Sequence, residues 1–160
     1  MLTKILKKNE NQYVKRTFSQ SGEDVIVKFI FDAIGIHKPT YIDIGAHHPF
    51  YLNNTALLYE NGSSGINIEP DPVLFSAFSK FRKNDLNLNI GISDEEGEAD
   101  FYIINVPTLN TFSKAEAEKY SNQGKYFIRE VKKIRTKTVN NIINEFSNDK
   151  FPEFLTLDAE

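Results

Sequence analysis

The chain has 160 residues, a formal charge of -3 and no cysteine, with 40% hydrophobic and 26% charged residues. It is long enough for one hydrophobic core and is neither fibrous nor disordered in composition. The missing cysteines exclude disulfides, thiolate metal sites and a catalytic thiol. No apolar run reaches the roughly 18 residues of a membrane span, and the slight negative balance offers little attraction to nucleic acid.

The opening residues 1–10 (MLTKILKKNE) lack the continuous apolar stretch and cleavage site of a secretory signal, so a cytoplasmic protein is expected. Without a repeat or a linker, the division is an N-terminal extension over 1–17 and one domain over 18–160. Between residues 21 and 35, Val25, Ile26, Phe29, Ile30, Ala33 and Ile34 recur at helical spacing, a stripe that must pack against something. Ser21 and Asp24 supply its cap and Gly35 its stop. Residues 40–44 (TYIDI) read as a short buried strand, ending in Gly45 and Ala46 and a loop through His47, His48 and Pro49.

A helix is expected over 54–60, closed by Asn61 and Gly62, then a strand over 65–69 (GINIE). Asp71 followed by Pro72 starts the next helix with a capping carboxylate and a proline at the first helical position; Leu74, Phe75, Phe78 and Phe81 form its apolar face. Strand alternating with helix is the cadence of a parallel sheet with right-handed crossovers. Residues 86–90 alternate as a third strand, and a solvated turn at Asp94, Glu95 and Glu96 leads to 99–104, the two strands forming a hairpin appended to the core. A short helix over 115–120, a strand over 134–138 feeding 139–146, and a strand over 154–158 ending in an acid follow. Lys132, Lys133, Arg135 and Lys137 suit a solvent-facing strand edge.

In an open parallel sheet, ligands bind outside the carboxyl ends of the strands. Four such ends carry chemistry: residues 43–47 (DIGAH), 69–71 (EPD), 91–93 (GIS) and 158–160 (DAE). Gly45 lets the backbone turn beneath a ligand, and Asp43 fixes that turn or meets an ammonium. Glu69, followed by Pro70, can accept hydrogen bonds from both hydroxyls of a ribose. Ile92 beside Ser93 suits an adenine. The first loop has one glycine instead of the Gly-x-Gly-x-x-Gly of a nicotinamide site or the Gly-Lys-Ser/Thr of an NTPase loop. An acidic, glycine-poor loop suits a cofactor without phosphates, and S-adenosylmethionine fits that description.

Seven blocks sharpen this: residues 19–24 (SQSGED), 41–49 (YIDIGAHHP), 54–55 (NT), 58–62 (LYENG), 65–71 (GINIEPD), 110–113 (NTFS) and 154–160 (FLTLDAE). Together, and in order, they resemble the FkbM family of S-adenosylmethionine-dependent methyltransferases over roughly residues 18 to 160. The resemblance implies an α/β, Rossmann-like class I methyltransferase sandwich with a mostly parallel sheet, and methyl transfer to a hydroxyl of a sugar or other small acceptor. It would place the methionine end of the cofactor near Asp43, Gly45, Ala46 and His47, the ribose on Glu69, the adenine near Ile92 and Ser93, and Asp158 and Glu160 beside the methyl. The family pattern continues past Glu160 with further strands, so the chain reads as lacking the C-terminal part of the sheet. An exposed sheet edge would follow, open to a second copy.

The expected mechanism is in-line displacement with a base taking the hydroxyl proton. Asp158 is the first choice for that base, with Glu160, His47 and His48 as competitors. Gln20, His48, Asn54 and Thr55 are candidates for contact with the acceptor, and Glu23 for reaching the pocket. No fixed-spacing metal motif is present, so no metal is assigned. Two other classes stand beside the methyltransferase: a nucleoside-binding domain that does not turn over, and a nicotinamide-dependent oxidoreductase, disfavoured by the missing glycines.

Overall fold

Alternation along two short strands decides which face of the sheet becomes core. In the computed structural model, which describes residues 14–147 and 150–158, β1 (Tyr41–Ile44) pairs in parallel with β2 (Gly65–Ile68), Ile42 opposite Ile66 and Ile44 opposite Ile68. These four isoleucines share one face and join Ile90, Ile142 and Ile143 in a single apolar cluster. The intervening residues Tyr41, Asp43 and Asn67 point the other way and are buried as well, so that face is closed by polar contacts.

β3 (Leu86–Leu88) extends the sheet beyond β2 and β7 (Phe154–Leu157) extends it beyond β1. The order is β3-β2-β1-β7, parallel throughout. The first three strands step outward in one direction and the fourth returns to the far side of β1. Such a reversal splays the connections apart and opens a crevice at the strand ends.

Among the described residues the α-helices are α1 (Glu23–Ala33), α2 (Ala56–Glu60), α3 (Pro72–Phe81), α4 (Lys114–Ser121) and α5 (Val139–Phe146). α5 supplies Ile142 and Ile143 to the apolar face. α3 begins as its sequence dictates: the Asp71 carboxylate accepts from the amides of Val73 (2.8 Å) and Leu74 (3.4 Å), with Pro72 next to it. α1 ends in a Schellman motif, Gly35 adopting φ 80° while the Ile36 amide donates to the Phe31 carbonyl at 2.9 Å. Among the described residues, no helix is long and apolar enough to cross a membrane.

Three expectations are corrected. The start of α1 is capped by neither Ser21 nor Asp24: Gly22 is the N-cap residue, at φ 90°, without a side-chain cap. Asp24 is instead buried, accepting from Thr17 Oγ1 (2.6 Å), the Phe18 amide (2.7 Å) and Ser19 Oγ (2.8 Å), and so anchors the preceding segment. The apolar stripe of α1 does not pack: Ile26, Phe29, Ile30 and Ile34 are exposed, Phe29 at 71%, and the helix meets the sheet through Phe31 against Phe154.

The third correction concerns the appended strands. Residues 86–88 and 97–104 do not form a hairpin with each other. β5 (Gly97–Ile104) pairs antiparallel with β6 (Ile128–Lys137), and β4 (Gly91–Ile92) adds in parallel to the other side of β6, making a separate three-stranded sheet ordered β4-β6-β5. The basic residues of β6 therefore lie on the central strand of that sheet. Its charges are met by neighbouring acids, Lys133 by Asp100 across the ladder at 2.7 Å, and Lys137 by Glu96 of the turn before β5 and Glu145 of α5.

Candidate functional site

The loop after β1 is where the chain must leave the sheet without stranding polar groups, and each of its first three amides is accounted for. Gly45 takes φ 77°, and both its amide (2.9 Å) and that of Ala46 (3.1 Å) donate to the Ile68 carbonyl at the end of β2. His47 follows at φ 56°, a conformation uncommon for a residue with a Cβ, and its amide donates to Glu69 Oε2 at 2.8 Å. The other oxygen of Glu69 accepts from the Asp71 amide at 2.7 Å. One carboxylate thus ties the loops after β1 and β2 together.

Behind this wall lies a polar network that closes the second face of the sheet. Asp43 is 3% exposed, and its Oδ2 accepts from Thr55 Oγ1 (2.7 Å) and Asn53 Nδ2 (3.2 Å). Asn53 Nδ2 also donates to the Ala46 carbonyl at 2.9 Å, which fixes the loop from the inside. Arg82, fully buried, donates to Thr55 Oγ1 (3.1 Å), Asn53 Oδ1 (3.3 Å), the Pro49 carbonyl (3.1 Å), the Tyr41 hydroxyl (2.7 Å) and Asp85 Oδ2 (2.8 Å). Asp85 further accepts from Tyr41, the Gly65 amide and Asn67. A buried guanidinium is tolerable only with its donors filled, and here they are.

The crevice at the strand ends is a cavity of about 490 Å³. β1 and its loop contribute Ile44, Gly45 and His47; β2 and its loop, Ile68, Glu69 and Pro70; the segment after β3, Ile90, Gly91 and Ile92; and the end of β7, Asp158. Gln20, Glu23, Leu52, Asn54 and Leu74 close one side. The other is formed by Phe101, Pro107, Thr108, Asn110 and Phe112 of the second sheet and its loop. Among the described residues, this lining has three acids, Glu23, Glu69 and Asp158, and no lysine or arginine.

Burial sets the titration of these groups. It raises the Glu69 carboxyl to about 8, against the pull of the Asp71 and His47 amides and with a further push from the Asp71 and Asp43 charges. Asp43 is raised to about 6, again by burial, opposed by the Thr55 hydrogen bond and the Arg82 charge. Burial also holds both His47 and His48 below the usual histidine range. Among the described residues, no three His, Asp or Glu side chains group so as to hold a metal ion.

Of the residues the sequence singled out, Gln20, Gly45, His47, Asn54, Glu69, Pro70, Ile92 and Asp158 meet at the cavity, with Glu23. Asp43, Ala46 and Thr55 lie behind its wall, where Asp43 and Thr55 belong to the Arg82 network. His48 accepts from the Phe50 amide at 3.1 Å, shaping the loop. Ser93 is exposed and turned to Asp94 at 3.0 Å, away from the lining residues. Glu160 lies outside the described residues, as does the opening segment 1–13.

Sequence reading assigned no role to Arg82, Leu52, Phe101 or Thr108, and none to Phe112 beyond its place in the block at 110–113. The one signal for Arg82 was the pair Arg82 and Asp85 beside strands that carry Asn67 and Asn87, polar residues where an apolar strand face is usual.

Comparison with the curated proteins found no match, and neither did comparison with the solved structures. The family model described as methyltransferase FkbM domain matches residues 43–160, from the acid at the centre of β1 through the end of the chain. That span takes in every strand end that forms the crevice, and the mixed α/β architecture with its mostly parallel central sheet is that of a Rossmann-like methyltransferase. The chain belongs to the FkbM methyltransferase family.

Proposed function

We propose that this methyltransferase uses S-adenosylmethionine and methylates a hydroxyl of a small, polyhydroxylated acceptor of the sugar class. The observation that carries the choice of cofactor is the way the strand-end amides are spent. A phosphate-binding loop needs free backbone N–H groups and a helix N-terminus open to an anion. Here the amides of Gly45, Ala46, His47 and Asp71 are already bonded to a carbonyl or to Glu69, and those of Val73 and Leu74 to Asp71. With Glu23 and Asp158 on the lining, Glu69 ionising toward pH 8 and no lysine or arginine, the cavity disfavours a pyrophosphate and favours a ligand bearing ammonium and sulfonium charges.

Glu69 would hold the ribose through the lone pairs its two amide donors leave open, and the loop of Gly45 and His47 would hold the methionine end. S-adenosylmethionine, when bound, supplies an electrophilic methyl group. Asp158 or His47, both on the cavity lining, would take the proton of the attacking hydroxyl, and burial, by holding the His47 ring below its usual range, favours the form that can accept one. Gln20, Asn54 and Thr108 offer amides and a hydroxyl suited to an acceptor with many hydroxyls.

The test is transfer of a labelled methyl group from S-adenosylmethionine to a panel of sugars. Asp158→Asn should slow it about 100-fold or more, the scale of a lost general base, while S-adenosylhomocysteine binding persists. Binding of S-adenosylhomocysteine with no transfer to any hydroxyl would favour a nucleoside-binding domain without turnover. Label found on nitrogen or carbon instead of oxygen would overturn the proposed acceptor chemistry.

A further inference from the structure

We infer that Phe112, carried by the loop of the second sheet, forms one face of the slot that takes the adenine ring, so that the appended sheet grips the cofactor. The inference rests on the S-adenosylmethionine reading and adds to it a residue outside the parallel sheet. Gly91, at the point where the chain passes from one sheet to the other, explains how the ring gets there. A Cβ built on Gly91 would lie 2.4 Å from Phe112 Cζ, so the absent side chain is the space that the phenyl ring occupies. Gly91 does not have positive φ, so packing alone calls for glycine at this position.

A second aromatic ring and the backbone around it fix the position of the phenyl group. It stacks, tilted, on the buried Phe101 at a centroid distance of 4.7 Å. Its neighbour Thr111 pairs with Tyr102 of β5 through two backbone hydrogen bonds of 2.8 and 3.2 Å. Asn110 fastens the loop to both sheets: its Oδ1 accepts from the Ile104 amide at 2.8 Å, and its Nδ2 donates to Asp71 Oδ2 at 2.8 Å, the same carboxylate whose other oxygen caps α3. A half-buried aromatic ring fixed before the ligand arrives loses little freedom on binding. Pro70, Leu74 and Ile92 line the same cavity, aliphatic groups that suit the other face of a flat, apolar, π-rich base.

Titration calorimetry with two ligands tests it: S-adenosylhomocysteine, and S-ribosylhomocysteine, which has the same amino-acid tail and ribose without the base. Phe112→Leu should weaken S-adenosylhomocysteine about 5- to 150-fold, the range for losing an aromatic stack on a base, and leave S-ribosylhomocysteine within about twofold. Gly91→Ala, which pushes the ring aside, should act in the same direction. The double variant should lose no more than Phe112→Leu alone, because both changes remove one contact. Unchanged S-adenosylhomocysteine affinity in Phe112→Leu would overturn the inference and leave the proposed cofactor standing. Equal losses for both ligands would also overturn it, by assigning Phe112 to the shape of the whole cavity. If the wild-type chain bound neither ligand, the cofactor reading itself would fall.

Discussion

Glu69→Gln isolates the charge of the carboxylate that joins the loops after β1 and β2. Gln keeps the shape and can still accept from one of the two amides, whereas Ala would leave the His47 and Asp71 amides without an acceptor and add about 1–3 kcal/mol of destabilisation for each buried group. With its carboxyl raised to about 8, Glu69 is largely protonated in the free protein at pH 6 and half ionised at pH 8. A ligand with cationic groups and two ribose hydroxyls to donate selects the ionised form. Apparent affinity should therefore rise by about 50-fold from pH 6 to pH 8, the ratio of the ionised fractions, in wild type.

The same shift predicts stability with the opposite slope. The folded value lies above the unfolded one of 4.5, so the group favours the native state fully below about pH 4.5, and that contribution is lost progressively as pH rises to about 8. The change amounts to about 5 kcal/mol at most. Asp43 adds a similar fall toward pH 6 but does so in both proteins, so the difference between wild type and Glu69→Gln reports Glu69 alone. Calorimetric titration of S-adenosylhomocysteine at pH 6, 7 and 8, together with urea unfolding at the same values, measures both. Equal pH slopes in wild type and variant, for binding and for stability, would refute the reasoning.

Arg82→Met should cost about 3–5 kcal/mol in urea unfolding, because it leaves the buried Asp85 and the Asp43 network without their counter-charge; a loss under 1 kcal/mol would contradict the role given to Arg82. Asp71→Ala removes the α3 cap and the anchor of Asn110, and should cost about 1–2 kcal/mol while weakening S-adenosylhomocysteine binding, read by thermal unfolding with and without ligand. Gly65→Ala would set a Cβ 2.2 Å from the Tyr41 carbonyl oxygen and should destabilise by about 3 kcal/mol or more, whereas Gly97→Ala, whose nearest atom is Thr136 Oγ1 at 3.9 Å, should be nearly neutral. Similar melting temperatures for those two glycine variants would contradict the packing described between β1 and β2.

What the sequence made legible is local. Asp71 with Pro72 announces a helix start in two residues, and the cap forms as the chemistry requires. The strand ends at Gly45 and Glu69 are marked by a change from apolar run to loop residues, and the parallel order brings them to one crevice, where Gly91 at the start of β4 joins them. Strand partnership was not legible in the same way. β5 finds its partner in β6 more than twenty residues downstream, and β6 carries so many basic residues that it reads as an edge; only the acids opposite, such as Asp100, make it a centre. The stripe on α1 was visible as a helix period, but periodicity says that a face is apolar and not what covers it. Arg82 escaped notice because a buried arginine is rare, and its partners Tyr41, Pro49, Asn53 and Thr55 lie 27 to 41 positions away, so only the fold brings them to it. Phe112 was hidden for a related reason: it is a wall residue of the cavity by virtue of Gly91, a contact between distant positions.

The central claim is that the acidic crevice at the ends of β1, β2 and β7 takes a phosphate-free, cation-bearing nucleoside. Titration calorimetry of the wild-type chain at pH 8 with S-adenosylhomocysteine and, separately, with NAD tests it most directly. Saturable binding of S-adenosylhomocysteine, with no heat above dilution for NAD, is the predicted result. Saturable NAD binding with no response to S-adenosylhomocysteine would contradict the account.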